Sequence, residues 1–113
     1  MNSGQGGERA AELYLLRRGY KILARNYRCR FGEIDLVAVS AGYIVFAEVK
    51  TRRPHALVSG EQSVDARKQS RLTAAACDYL RCRPTELQPR FDVIVVEAAD
   101  GAYRITNHIE NAF

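Results

Sequence analysis

The sequence predicts an α/β domain: a mixed β-sheet in the order αβββαβ, with helices packed on the sheet. Three observations carry this. Residues 64–80 bear an apolar stripe with helical spacing. Two apolar segments with strand-like patterning flank the turn Ser40-Ala41-Gly42. Phe91 to Glu97 is a nearly continuous apolar, β-branched run, as expected of a strand covered on both faces. The chain has 113 residues, enough for one domain with one core, so 1–113 is read as a single unit. Hydrophobic residues at 47% and charged residues at 27% exclude disorder, collagen and coiled coil as the main state. No apolar run approaches the ~20 residues of a membrane span. Met1 to Glu8 lacks a signal-peptide pattern. The expectation is a soluble, cytoplasmic protein with no membrane partner.

Residues 1–7 read as a flexible lead-in. Glu8 to Arg18 reads as a helix. Glu8 and Glu12 lie near its start, Arg17 and Arg18 in its last turn, and Gly19 is its stop. Its inward stripe is Ala11, Leu15 and Leu16. Tyr20 to Ala24 is a short strand, and Asn26 marks a bend. Arg28 to Val39 reads as one long strand, with Tyr43 to Lys50 as its hairpin partner. Thr51 to Gly60 is a loop punctuated by Pro54 and Gly60. Val64 to Leu80 is the clearest helix, with Ser63 as N-cap and Asp65 in its first turn. Its stripe is Val64, Lys68, Leu72, Ala75, Ala76, Tyr79 and Leu80. Pro84 and Pro89 end that region. After Phe91 to Glu97, Asp100-Gly101 turns the chain into a short strand near Tyr103 to Thr106. Short connections make the first strands antiparallel. The helical crossover makes the strands at 43–50 and 91–97 parallel.

Charge suggests a partner. There are 17 basic and 13 acidic residues, and among the basic ones only Lys21, Lys50 and Lys68 are lysine. Arginine is the better bidentate ligand for phosphate. Arg17 to Arg30 holds six basic residues and no acid. Arg52 and Arg53 follow Lys50, and Arg67, Lys68 and Arg71 cluster later. This segregation suits a polyanion such as nucleic acid, although an arginine-rich solvated surface would look the same. Tyr27 and Phe31, among Arg25, Arg28 and Arg30, suit stacking on bases; alternation on a half-buried strand explains them equally. The cysteines Cys29, Cys77 and Cys82 are odd in number and lack CxxC spacing, so reduced thiols fit best. His55 and His108 lack ligand spacing and read as structural or exposed.

The chemistry gathers at Gly32-Glu33-Ile34-Asp35 and Glu48-Val49-Lys50. If the hairpin turns on Ala41 and Gly42, Ser40 pairs with Tyr43, Asp35 falls opposite Glu48, and Glu33 opposite Lys50. Opposed side chains share a face, with Cβ atoms about 4.5–5.5 Å apart. Ile34, Leu36 and Ala38 then share one apolar face with Val45, Ala47 and Val49. The other face carries Val37, Val39, Ile44 and Phe46 near the turn, and the charged residues beyond. Opposed carboxylates repel and raise each other's pKa, so a divalent cation between them is expected, and oxygen ligands select Mg²⁺ or Mn²⁺. Lys50 would act on a water or phosphate beside it. That is equipment for phosphodiester hydrolysis. The competing reading is a solvated salt-bridge cluster at the strand ends. Lys68 lies on the inward stripe of its helix, with Gln69 nearby, so either it reaches the site or it snorkels to solvent. Arg52, Arg53, Arg67 and Arg71 are candidate phosphate contacts.

Asp35 followed by Glu48-Val49-Lys50 on adjacent strands resembles the PD-(D/E)XK nuclease superfamily. More closely, the chain resembles the YraN-like family of small bacterial predicted endonucleases, akin to archaeal Holliday junction resolvases. The matching stretches are Gly7 to Leu15, Arg25 to Leu36, Val45 to Arg52, Val64 to Gln69 and His108 to Phe113. The resemblance implies a restriction-endonuclease-like fold and a Mg²⁺-dependent endonuclease acting on DNA, on branched or structured DNA in particular. It makes Asp35 and Glu48 metal ligands with the Val49 carbonyl as a third, and Lys50 the catalytic cation. It places Glu8 as an additional acid facing the site, and Glu33 as a supporting or alternative ligand, or else an ion-pair partner of Lys50. It also implies a homodimer. Ile34 stands where the superfamily's proline would precede Asp35. The alternative is a non-catalytic nucleic-acid-binding module on the same fold.

Overall fold

The computed structural model describes residues 3–54 and 65–113. The elements are α1 (Ser3–Arg17), β1 (Lys21–Cys29), β2 (Gly32–Ser40), β3 (Tyr43–Arg52), α2 (Ala66–Cys82), β4 (Gln88–Ala99) and β5 (Ala102–Ile109). The five strands form one sheet in the order β1-β2-β3-β4-β5. All neighbouring pairs are antiparallel except β3 and β4, which are parallel across the α2 crossover. This is the expected mixed α/β sheet.

Alternation along the strands builds two cores. Val93 and Val95 face Leu72, Ala75, Ala76 and Tyr79 of α2. Ile94 and Val96 face Ala11 and Leu15 of α1. The helices therefore cover opposite faces of β4, as its continuous apolar run requires. Burying one such side chain contributes roughly 1.5–3 kcal/mol.

Several boundaries differ from the sequence reading. The expected flexible lead-in is helical from Ser3 onward, and Gly6 and Gly7 are buried. A Cβ on Gly6 would collide with the Tyr103 ring, and one on Gly7 with the Thr51 hydroxyl, so the glycines let α1 lie close on the sheet. Leu16, expected to point inward, is 46% exposed; the buried neighbour is Glu12. Gly19 does end the helix, at φ +88°, and the Tyr20 N–H bonds back to the Leu15 carbonyl at 3.0 Å.

The single long strand expected from Arg28 to Val39 is divided. β1 continues past Asn26 to Cys29, and Arg30-Phe31 forms the turn, with Cys29 paired to Gly32. This turn lacks the Asn-Gly or Asp-Gly signature; the Arg30 guanidinium lies 4.9 Å from the Phe31 ring centroid. Ala41-Gly42 and Asp100-Gly101 adopt positive φ at both positions, as tight hairpins demand. β4 begins before Pro89 and runs to Ala99, and β5 extends to Ile109, so both are longer than expected. Helix α2 is capped by Asp65, whose carboxylate accepts from the Lys68 N–H at 2.9 Å. The expected cap Ser63, Val64, His55 and most of the Thr51–Gly60 loop lie outside the described residues.

Candidate active site

The hairpin register is the one on which the site depends. Ser40 pairs with Tyr43 and Leu36 with Ala47. The ladder ends there, one step before Asp35 and Glu48. On its other side, the β1–β2 pairing also skips Asp35, opposite Asn26, which sits at φ +50°. Asp35 thus occupies a gap between three strands, a place where ladders break and side chains are re-aimed. Its own carboxylate fills part of the gap, accepting the Val49 N–H at 2.8 Å. Ile34 lies in the α2 core, away from Leu36, contrary to strict alternation.

This gap joins two clefts. Toward α1, Asp35 lines a cleft of about 280 Å³ with Glu8, Arg9, Glu12, Arg25 and Asn26. Toward α2, it lines one of about 220 Å³ with Glu33, Glu48, Lys68 and Arg71. Asp35 and Glu48 are each only 8% exposed. Burial first, then repulsion from Glu48, pushes the Asp35 carboxyl up to about 8, against the Val49 N–H that favours its charge. Glu8 reaches across from α1 and hydrogen-bonds Asp35 and Asn26; burial, only partly offset by these bonds, raises its pKa as well. Glu48 is held by the Lys68 ammonium at 2.5 Å. Lys68 therefore turns into the site rather than snorkelling to solvent.

Lys50 lies two residues beyond Glu48 on β3, level with Val95 of β4, and is half-buried. The expected alternative, a Glu33–Lys50 pair, does not form. With the β2–β3 ladder ended, Glu33 pairs across the other edge with its β1 neighbour Arg28, at 2.7 Å. Arg25 grips Glu12 through Nε at 2.7 Å, tying β1 to α1. Arg30 leans on Phe31. Arg53, Arg67 and Arg71 are exposed, Arg71 at the mouth of the α2-side cleft, while Arg52 and Gln69 are half-buried.

The donor set suits a hard divalent cation: carboxylates of Asp35, Glu48 and Glu8 around one gap, with no thiol or imidazole among them. Burial, with repulsion from Glu48 added, raises Asp35's pKa, which is the electrostatic condition a bound cation relieves. As they stand, however, no three Asp, Glu, His or Cys side chains among the described residues converge closely enough to enclose an ion. Binding one would require Glu48 to release Lys68 and Asp35 to shed its proton.

A second polar centre escaped the sequence reading. Asp92 is fully buried on the α1 face of β4. It accepts two bonds from Arg90 at 2.9 Å and one from the Asn111 N–H at 3.1 Å, and it lies 2.7 Å from His108 Nε2. Arg90 also donates to the Tyr20 hydroxyl, and the Tyr14 hydroxyl meets His108 Nδ1, both at 2.8 Å. The signal was a lone acid inside an apolar strand. Arg90 stands two residues upstream on the same strand, but His108 and Asn111 stand 16 and 19 residues downstream, where no local spacing rule reaches.

The model for the family described as "Uncharacterised protein family UPF0102" matches residues 7–96. A UPF0102 protein of Syntrophomonas wolfei is 46% identical over 111 residues, covering 97% of this chain and 96% of that protein. One from Symbiobacterium thermophilum is 47% identical, covering 97% and 94%. One from a Synechococcus strain is 41% identical, covering 99% and 91%.

Proposed function

The chain belongs to the protein family UPF0102, and from that starting point we propose that it is a Mg²⁺- or Mn²⁺-dependent endonuclease of the PD-(D/E)XK type that hydrolyses DNA, branched or otherwise structured DNA in particular. The observation that supports this most is the buried pair Asp35 and Glu48 at a break in the sheet, with the burial and the repulsion from Glu48 that lift Asp35 to about 8. Asp35, Glu48 and the Val49 carbonyl would hold the cation, which when bound lowers the pKa of a water and polarises the phosphate. Lys50 stabilises the charge that gathers on the phosphate oxygens. Glu8 lines the same cleft as Asp35 and would serve as the additional acid facing the site. Arg53, Arg67 and Arg71, all exposed, would bind the DNA backbone, Arg71 at the mouth of the α2-side cleft. A single site makes one cut, so symmetric cleavage of a junction calls for a homodimer.

The test is titration of Mn²⁺ or Mg²⁺ into wild type, Glu48→Gln and Lys50→Ala, with linear, nicked and branched DNA as substrates. Wild type should cleave at least one of them, and both variants should fail. Lys50→Ala should still bind. Binding should weaken steeply with salt, because neutralising phosphates releases counterions. One set of contacts favours a second reading, a nucleic-acid-binding module without catalysis. Glu48, Glu33 and Glu12 are each paired with a cation of the chain itself, Lys68, Arg28 and Arg25. Salt-sensitive binding with no metal-dependent cleavage across the panel would establish it.

A further inference from the structure

On the flank of α1 opposite Glu8, a groove of about 400 Å³ runs between that helix and the edge strand β5. Leu13, Tyr14, Arg17 and Arg18 line it from the helix, and Tyr103 and Arg104 from the strand. Nothing in the proposed cleavage uses these residues. From this arrangement we propose that the groove binds an unpaired segment of nucleic acid, stacking a base against its tyrosines and holding the adjoining phosphates on its arginines.

Both rings are fixed in place. Tyr14 is anchored through its hydroxyl to His108, which is held in turn by the buried Asp92. Tyr103 packs against Gly6, yet 38% of the residue is exposed. A pre-positioned aromatic face loses little freedom on binding. The Arg18 guanidinium already lies 5.4 Å from the Tyr14 ring centroid, so charge and ring face occupy one spot. Arg17 is exposed and has no ion-pair partner among the described residues. Arg104 pairs with Glu97 at 3.2 Å. Basic residues in the last turn of a helix complement its dipole, which accounts for Arg17 and Arg18. It does not account for Arg104 on a strand or for an exposed tyrosine beside it. An apolar floor, aromatic walls and a cationic rim fit a nucleotide better than an acidic peptide, which has charge but no ring to stack. The base must be unstacked to reach the rings, so the ligand is single-stranded rather than duplex.

The experiment is fluorescence anisotropy of a labelled oligothymidylate of about twelve nucleotides with the full chain in chelator, where cleavage plays no part. Tyr103→Ala should weaken binding roughly tenfold, the loss of one stacked base, and Tyr103→Phe should restore it. The double variant Arg17→Gln/Arg104→Gln should reduce the slope of log affinity against log salt by about 1.4. Thermal melts identify any variant that has lost its fold; the arginine pair is exposed and decides the matter if Tyr103→Ala does not fold. The proposal is overturned if unlabelled duplex competes as well as the single strand, or if the folded variants bind like wild type. It is equally overturned if they alter self-association and leave oligonucleotide affinity untouched. A failure to cleave DNA in the metal titration would remove the nuclease reading and leave this result standing.

Discussion

At Asp35 the folded chain keeps a proton up to about pH 8, whereas the same carboxyl in the unfolded chain loses it near about 3.9. Folding therefore binds a proton over that window. The stability this group contributes is complete below about pH 4 and is lost as pH rises through about 8. Asp35→Asn removes the loss: an amide can accept the Val49 N–H without becoming charged. The stability advantage of the variant over wild type, from denaturant melts in chelator, should grow between about pH 5 and about pH 9. A constant difference would contradict the burial and repulsion assigned to this carboxyl. Lys68→Met tests the opposite partner. It leaves Glu48 without its cation, so the metal-free protein should melt lower, by about 1 kcal/mol since Lys68 is partly exposed. Added Mn²⁺ should then raise the melting temperature more than in wild type, because the ion no longer competes with the ammonium. At this scale the sequence revealed Asp35 and Glu48, because strand alternation and a two-residue turn leave one register. It left the engagement of Lys68 open, because whether a long side chain turns inward depends on how far the helix stands from the sheet.

Helix α1 shows how an element can be misread when propensity is the only guide. Two glycines in a polar stretch look like a tail, since each costs a helix about 1 kcal/mol relative to alanine. Here they are the contact surface, with the Tyr103 ring and the Thr51 side chain against them. Gly7→Ala, a substitution that raises helix propensity, should instead destabilise the protein by about 1–3 kcal/mol, through overpacking against β3. Urea denaturation measures it; unchanged or increased stability would show that α1 does not lie this close. The β1–β2 turn was hidden for a related reason. Arg30-Phe31 carries no turn chemistry of its own, and strand pairing on both sides imposes the reversal. By contrast α2 and β4 were plain, because an apolar stripe and a β-branched run are properties of the segment itself.

Across the whole molecule, Asp92 ties the C-terminal end of the described chain to β4. Arg90, His108 and the Asn111 backbone meet on it. Next to it the Ala112 N–H bonds the Phe91 carbonyl at 2.7 Å, and Phe113 stacks on Phe91 with centroids 4.9 Å apart. Burial opposes the charge on Asp92, but the bonds from His108, Arg90 and Asn111 outweigh it and hold the carboxyl below its ordinary range. That contribution is present above about pH 4 and is lost as pH falls through the lowered value. Asp92→Asn should cost about 3–5 kcal/mol at neutral pH, because the largely buried Arg90 loses its nearest counter-charge and keeps only Glu110, at 3.6 Å. Its deficit relative to wild type should shrink in acid. Calorimetry of both proteins at about pH 3 and about pH 7 measures the change.

The order of elements, the parallel crossover and the register of the β2–β3 hairpin were decided by the sequence alone, since each follows from apolar periodicity and connection length within a few dozen residues. The break in the sheet at Asp35, the reach of Glu8 and Lys68 into it from opposite faces, the Asp92 network and the groove beside β5 were decided only by tertiary structure. Each joins residues far apart in the chain through the distance and angle at which packed layers meet, and no local pattern encodes those quantities.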